Sequence, residues 1–341
     1  MSDRIRVRCV YPFMDDDIRM LASVDPRIEL VSEGEDTPEW CSTLDDPDLE
    51  VLLSNHLPAD LDRVPALRWL HTASAGLDMV LAQDPWGHGI TVTNGSGVHA
   101  VHMGEYVLGA VMLWSERLAE RLAHQHAGRW DREIAVDTLP GRRLRGRTAV
   151  IVGYGSLGRE VGRLLHALGV RIIAVKADPT TRADHGWREP GTGDPEGVLP
   201  ERFAGPADLS AVVREADIVV LTLPATPRTT RIVDAAVLTA MRRDALLVNV
   251  GRGALVDQDA LIEALAGRRI GAAVLDVTDP EPLPDDSPLW TLPGTLVTPH
   301  ISALGEVTAL WHTAALLCAE NLRRYVAGEP LLNVTSPAAG Y

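Results

Sequence analysis

The sequence predicts an α/β protein built from two doubly wound parallel sheets, and three observations carry that prediction. Short β-branched runs alternate with helical stretches in two successive rounds. The second round begins with a glycine-rich turn between an apolar run and an amphipathic segment. A length of 341 residues is enough for two domains that each bury a core.

In the first round "IRVRCV", "IELV", "EVLL", "RWLH" and "ITVT" are the expected strands, joined by polar or amphipathic connections. Residues 98–123 then read as one long helix bridging the domains, with Val101, Glu105, Leu108, Met112 and Leu113 spaced along an apolar side. After the polar "LPGRRLRGR" the second round brings "TAVIV", "RIIAV", "IVVLTL", "ALLVNV", "AAVLDV" and "TLVT". These are near-continuous apolar runs, as strands buried on both faces require. Residues 183–208, rich in Gly, Pro, Asp and Glu, read as a long surface loop. The last helix, about 306–327, carries Leu310, Ala314, Leu317 and Asn321 at helical spacing and is expected to return to the first domain.

Composition excludes several functions. A formal net charge of −15 opposes attraction to nucleic acid or to an anionic membrane surface, so an anionic substrate needs a local positive site. Cys9, Cys41 and Cys318 form no close pair, which points to buried thiols rather than a disulfide framework or a cysteine metal site. No apolar run approaches the roughly 20 residues that cross a bilayer. The opening "MSDRIRVRCVYPF" lacks the pattern of a secretory signal, so a cytoplasmic location is expected.

"VIVGYGSLGREVGRLLHALG" places Gly153, Gly155 and Gly158 between a buried strand and a helix whose Leu157, Val161, Leu164 and Leu168 are expected to face the sheet. A pyrophosphate needs a tight turn, room beside the backbone and a helix N-terminus, which this pattern supplies. Dinucleotide binding therefore centres on Gly153, Tyr154, Gly155, Ser156, Leu157 and Gly158. At the end of the next strand, about 20 residues on, stands the residue that reads the ribose. Here it is Lys176, the chain's single lysine, with Asp178 two positions later. Lysine suits the 2'-phosphate of NADP and aspartate the free hydroxyls of NAD, while Lys176 can also be merely a solvated loop charge, so NAD or NADP is expected and the choice stays open.

Three later segments, "LLVNVGRGALVDQDAL", "AAVLDVTDPEPLPDDSPLW" and "LVTPHISALG", each end a buried strand with polar residues at its carboxyl end, where open α/β sheets hold ligands. They deliver Arg252, Asp276 with Glu281, and His300. Each has a bland alternative. Arg252 can cap its strand or pair with Asp257, Glu281 can be a rigid solvated turn between Pro280 and Pro282, and His300 can be a satisfied histidine. Together, beside a nucleotide turn, they read as a catalytic set. His99, His102 and Glu105 have a spacing that can suggest a metal, but no second ligand segment follows, and no metal is expected.

With these segments in hand, the chain resembles the D-isomer-specific 2-hydroxyacid dehydrogenase family over nearly its whole length. The resemblance rests on "SAGLD", the glycine motif, "LPATPRTT", "VNVGRGALVDQDAL", "LDVTDPEPLPDDSPLW", "TPHIS" and "GEPLLNV". One departure is Thr278 and Asp279, where the family carries an aromatic residue and often a glutamate; Glu281 stays in register. The resemblance implies a Rossmann NAD(P)-binding domain, residues 101–301, inserted into a flavodoxin-like substrate domain, residues 1–100 plus 302–341. It implies hydride transfer between NAD(P)H and C2 of a small anionic 2-keto or 2-hydroxy acid in the cleft between the domains. His300 then serves as acid and base, Glu281 orients its ring and stabilises the imidazolium, and Arg252 holds the substrate. It adds the Ala75 and Gly76 amides as carboxylate donors, with His99 as a further substrate contact. It places Asp276 at the nicotinamide carboxamide and Leu223, Pro224, Thr226, Val250, Gly251 and Ser302 among the cofactor contacts. Asn55 and His56 are further pocket candidates. A homodimer is also implied. The rival readings are a nucleotide-sensing regulatory protein of the same fold and a formate dehydrogenase.

Overall fold

Because successive side chains of a strand point to opposite faces, the two apolar surfaces of each sheet can be read residue by residue. The computed structural model describes residues 4–77, 79–80, 83–130, 132 and 140–336. The outer ends of the expected substrate domain, 1–3 and 337–341, and Asp78 of "SAGLD" lie outside them. The chain divides into a first unit of Met1–His99, His185–Pro190 and Gly305–Tyr341, and a second of Ala100–Asp184 and Gly191–Leu304. The sequence boundaries differ by placing residues 185–190 in the nucleotide domain and residues 100 and 302–304 in the substrate domain.

The first unit holds β1 (Ile5–Cys9), α1 (Asp15–Ala22), β2 (Ile28–Ser32), α2 (Pro38–Thr43), β3 (Leu49–Leu53), β4 (Trp69–His71) and β5 (Thr91–Thr93). Its strands are all parallel in the order β2-β1-β3-β4-β5, the flavodoxin-like arrangement. One face buries Val7, Cys9, Val51, Leu53 and Trp69, and the other Leu49, Leu52, Leu70 and Val92.

The second unit opens with α3 (Ala100–Ser115) and α4 (Leu118–His126). One helix over 98–123 was expected, but the chain breaks at Arg117, whose φ of 51° is left-handed. The buried face of α3 also differs from the expected stripe. Gly104, Val107, Val111 and Trp114 are covered, while Glu105 and Met112 are exposed. Gly104 lets this face approach the helix after the glycine turn, since a Cβ there would meet Glu160 and Leu164.

Then come β6 (Thr148–Val152), α5 (Ser156–Ala167), β7 (Arg171–Val175), β8 (Arg202–Ala204), α6 (Leu209–Val212), β9 (Ile218–Leu221), α7 (Ala235–Ala240), β10 (Leu246–Asn249), α8 (Gln258–Ala266), β11 (Ala272–Leu275) and β12 (Thr295–Val297). The seven parallel strands run β12-β11-β10-β9-β6-β7-β8, the doubly wound order that reverses beside β6. Alternation is clean: Val150, Val152, Val219, Leu221 and Leu247 enter one core, and Ala149, Ile151, Ile218, Val220 and Val248 the other. On α5 the buried apolar positions are Val161 and Leu165 with Gly158 and Gly162, and Arg159 and Glu160 are buried as well, whereas the expected Leu168 is exposed and Leu157 and Leu164 are half-buried.

The stretch 183–208 is not wholly a surface loop. It contains β8, and buried Asp194 accepts hydrogen bonds from the Tyr154 hydroxyl and from Val198 N and Leu199 N. The Asp194 carbonyl accepts from the buried Arg159 guanidinium, and buried Glu160 accepts from Gly193 N. Trp187 belongs to the first unit's core, and its N–H donates to Asn333 Oδ1. Finally α9 (Val307–Ala327) packs on α1 and covers the first sheet with Ala314, Leu317, Cys318 and Leu322.

Candidate active site

The glycine turn satisfies the steric demands of a bound pyrophosphate. Gly153 has φ +103°, and a Cβ on Gly158 would lie 2.0 Å from the Gly153 carbonyl, so helix and strand touch through hydrogen. Beside Gly155, by contrast, a Cβ would meet nothing within 4 Å. The N-terminus of the 12-residue α5 starts there at Ser156 and turns the positive end of the helix dipole toward the turn. Tyr154 gives a ligand only its backbone, because its ring is buried and its hydroxyl donates to Asp194. Lys176, immediately after β7, is the register neighbour of Gly153: Val152 pairs with Val175, and Gly153 N donates to Val175 O at 2.8 Å.

On the other side of β6, Leu223 and Pro224 follow β9 and are half-buried. Thr226 is tied into its own turn, its N–H donating to Thr229 Oγ1 at 2.8 Å. Val250 and Gly251 are buried at the end of β10. Arg252 follows, half-buried, with its Nη1 donating to the Gly251 carbonyl at 2.9 Å. Among the described residues it pairs with no carboxylate; Asp257 instead caps α8 through Ala260 N and faces Arg231. Gly253 fits only because it has no Cβ, which would lie 1.9 Å from the Thr278 carbonyl.

Asp276 directly follows β11 and is almost completely buried, and its carboxylate is committed to the segment that carries the histidine. Oδ1 accepts from Ile301 N at 2.8 Å and from Thr298 Oγ1 at 2.6 Å, and Oδ2 accepts from Ser302 N at 2.8 Å. Tyr106 on α3 extends the chain, its hydroxyl 2.6 Å from Thr298 Oγ1. Since the threonine proton goes to Asp276, the tyrosine donates. The Asp276 carbonyl also accepts from His300 N at 2.9 Å.

His300 adopts φ 54°, a left-handed conformation uncommon for a non-glycine residue. Its Nδ1 lies 2.6 Å from Glu281 Oε1. Both side chains are a little under half exposed, so the pair faces solvent rather than the core. An imidazole that donates Nδ1–H to a carboxylate has one fixed tautomer and presents Nε2 outward. Ser302 is buried, and its hydroxyl has no partner among the described residues. A buried polar atom without a partner is a place for a ligand contact. Thr278, the departure from the family pattern, is buried and turns its hydroxyl onto Pro280 O at 2.9 Å.

In the first unit the Ser74–Gly76 turn follows β4. Ala75 is exposed, and Gly76 N donates to Ser74 Oγ at 3.2 Å. The turn is held from several sides. Buried Tyr11 accepts from Ala73 N at 2.7 Å and donates to His71 O at 2.9 Å, Asn94 Nδ2 donates to Ala75 O at 2.8 Å, and Ser74 N donates to Asn55 Oδ1 at 3.1 Å. Asn55 is itself gripped by Asp36 at 2.6 Å. His56 donates its backbone N–H to Ser54 Oγ, and half-buried His99 closes the unit's N-terminal segment. Sequence reading missed Tyr11, Asn94, Asp36, Tyr106 and Thr298. The only available signal was polar residues inside otherwise apolar strand ends.

A glycine cradle and strand-end reactive side chains on one doubly wound sheet define a dinucleotide-dependent oxidoreductase. Comparison with known proteins narrows the class. The profile of the D-isomer specific 2-hydroxyacid dehydrogenase NAD-binding domain matches residues 108–302, so the chain belongs to that family. It is 28% identical over 340 residues to the D-3-phosphoglycerate dehydrogenase of Methanocaldococcus jannaschii, spanning 97% of this chain and 59% of that protein. It is 30% identical over 306 residues to the glyoxylate reductase of Thermofilum pendens, covering 88% of this chain and 86% of the relative. The crystal structure of a D-isomer specific 2-hydroxyacid dehydrogenase from Xanthobacter autotrophicus, in complex with NADPH and MES, superposes with a TM-score of 0.75 at 27% identity over 99% of both chains. The cofactor is NAD or NADP. Among the described residues no helix is long and apolar enough to cross a membrane.

Proposed function

We propose that this protein catalyses reversible hydride transfer between NAD(P)H and C2 of a small 2-keto or 2-hydroxy acid, with Arg252, Glu281 and His300 as its working side chains. The observation that carries the reading is the 2.6 Å contact from His300 Nδ1 to Glu281 on the strand-end edge that also bears Arg252 and the glycine cradle. When bound, the nicotinamide supplies or accepts the hydride. During reduction the keto oxygen gains negative charge, and His300 donates a proton to it from Nε2; during oxidation neutral His300 removes that proton. Glu281 fixes the ring through Nδ1. The Arg252 guanidinium holds the substrate carboxylate and keto oxygen through its planar fork, a geometry lysine lacks. The Ala75 and Gly76 amides donate to the carboxylate, and His99 contacts the substrate.

Gly153, Tyr154, Gly155, Ser156, Leu157 and Gly158 hold the pyrophosphate by their backbone, and Leu223, Pro224, Thr226, Val250 and Gly251 line the nicotinamide side. Ser302 offers that group its buried hydroxyl. Asp276 acts chiefly as the staple of the His300 segment.

The reading extends to a homodimer, supported by apolar residues that α3 and α4 leave exposed: Met112, Leu118 and Leu122. A cytoplasmic location is supported by three free, buried cysteines. The test is turnover of the purified protein with NADH and NADPH against glyoxylate, hydroxypyruvate, pyruvate and bulkier 2-keto acids. Oxidation of the reduced cofactor with at least one acid is expected. Cofactor binding without turnover would instead support a nucleotide sensor, and formate-dependent reduction of NAD would support a formate dehydrogenase.

A further inference from the structure

Resting on the dinucleotide reading, we propose that this protein selects NADP(H) over NAD(H), and that Lys176 is the residue that selects it by binding the 2'-phosphate. Lys176 is the first residue after β7 and sits in register beside Gly153, at the place where the adenosine ribose of a cofactor lying over the cradle is read. Its backbone is pinned on the far side by Lys176 N donating to Ala204 O at 3.1 Å. The direction of the strand end is therefore fixed by neighbours on both sides.

The carboxylate that would serve a free ribose diol is engaged elsewhere. Asp178 Oδ1 accepts from Thr180 N at 2.9 Å and from Thr180 Oγ1 at 2.6 Å, and Oδ2 accepts from Thr181 Oγ1 at 2.6 Å. These bonds from Thr180 and Thr181 hold the Asp178 carboxyl at about 2, so it stays ionised and folded into its own turn. The sequence left Lys176 and Asp178 as equal candidates. Their hydrogen bonds separate them, since the aspartate closes a turn and the lysine keeps donors to spare.

Lys176 Nζ donates to the Thr181 carbonyl at 2.6 Å and forms no ion pair among the described residues. An ammonium has three protons, so two remain for a ligand. The surroundings disfavour its charge: partial burial comes first, and repulsion from the buried Arg159 guanidinium adds to it, together lowering the lysine below its ordinary value. A half-buried cation beside a second cation gains most from a dianion, and a phosphate monoester supplies one. Asp184, 3.5 Å from Arg159, and Asp178 act in the opposite sense on the lysine, and in a chain with net charge −15 and no other lysine Lys176 is the ammonium this turn offers to a phosphate.

The test uses the full-length protein and two fragments that differ only in the phosphate. Calorimetric titration with 2',5'-ADP and with 5'-ADP is expected to show the former binding at least about tenfold more tightly, the scale of one charge-assisted contact. Lys176→Met is expected to bring 2',5'-ADP down to the affinity of 5'-ADP, and Lys176→Arg to keep the preference; thermal melts of both variants verify folding. Equal affinities in the unaltered protein, or a preference that survives Lys176→Met, would overturn the assignment while leaving the dinucleotide reading in place. Binding of neither fragment would overturn both.

Discussion

The strand-end edge of the second unit and the Ser74–Gly76 turn of the first arrange their polar groups in opposite ways. In the second unit the reactive groups are side chains: Glu281 and His300 stand partly exposed, and Arg252 is half-buried beside them in strand order. Their support is compact and local, since one buried carboxylate, Asp276, ties down Thr298, Ile301 and Ser302. In the first unit the candidate donors are backbone amides, and what places them is a spread-out set of side chains from β1, β3 and β5 ends: Tyr11, Asn55 and Asn94. A side chain can be replaced in one step. A backbone amide can be disturbed only through its supports, so the two regions differ in how they fail.

Substitution should expose that difference. The largest effect belongs to the second unit. His300→Asn is expected to lower kcat for keto-acid reduction by roughly 10²–10⁴-fold while cofactor affinity measured by calorimetry stays near the starting value. Tyr11→Phe comes next and acts through position. It removes the hydroxyl between Ala73 N and His71 O; His71 O keeps the hydrogen bond from Ser54 N, but Ala73 N loses its partner, at a cost of about 1–3 kcal/mol in denaturant unfolding. Because the turn then loosens, KM for the acid should rise more than kcat falls. A fall in kcat with KM unchanged would place Tyr11 in the reaction rather than under it.

The smallest effect concerns His71, fully buried beside Thr93 with Nδ1 2.8 Å from its hydroxyl. Burial pushes this imidazole down to about 3. In the unfolded chain it takes up a proton near 6.5 and in the folded chain it does not, so the stability it confers is present above about 6.5 and is lost as pH falls toward 3. The slope is at most about 1.4 kcal/mol per pH unit. Unfolding followed between neutral and acid pH should show a shallower dependence in His71→Gln than in the parent. Identical slopes would mean that the ring is protonated inside the fold.

The same contrast explains what was legible in the sequence. Strands buried on both faces leave apolar runs, so β6, β7, β9, β10 and β11 stood out, and a polar residue at the end of such a run advertised Arg252; His300 follows β12, an edge strand whose Leu296 is exposed, and was visible as a histidine placed directly after the proline that stops an apolar run. Supports do not advertise themselves. Tyr11 and Asn94 are single polar residues at the ends of short strands, and nothing in their spacing points to a turn at 74–76. The break between α3 and α4 falls on Arg117, a residue type with no preference for the left-handed region it occupies. The stretch 183–208 looked solvated because its composition is polar. Its order comes from Arg159 and Glu160, two charges on α5 that are buried by pairing with that stretch. Lys176 and Asp178 were both visible, but only their hydrogen bonds distinguish them.

The central claim, direct hydride delivery to C2 with His300 moving the proton, is tested most directly by isotope tracing. Reduced cofactor deuterated at C4 is mixed with glyoxylate or hydroxypyruvate, and the product acid is analysed by mass spectrometry. Deuterium bound at C2 of the product is predicted, formed far more slowly by His300→Asn at equal cofactor occupancy. Product without carbon-bound deuterium, or label transferred at an undiminished rate by His300→Asn, would contradict the account.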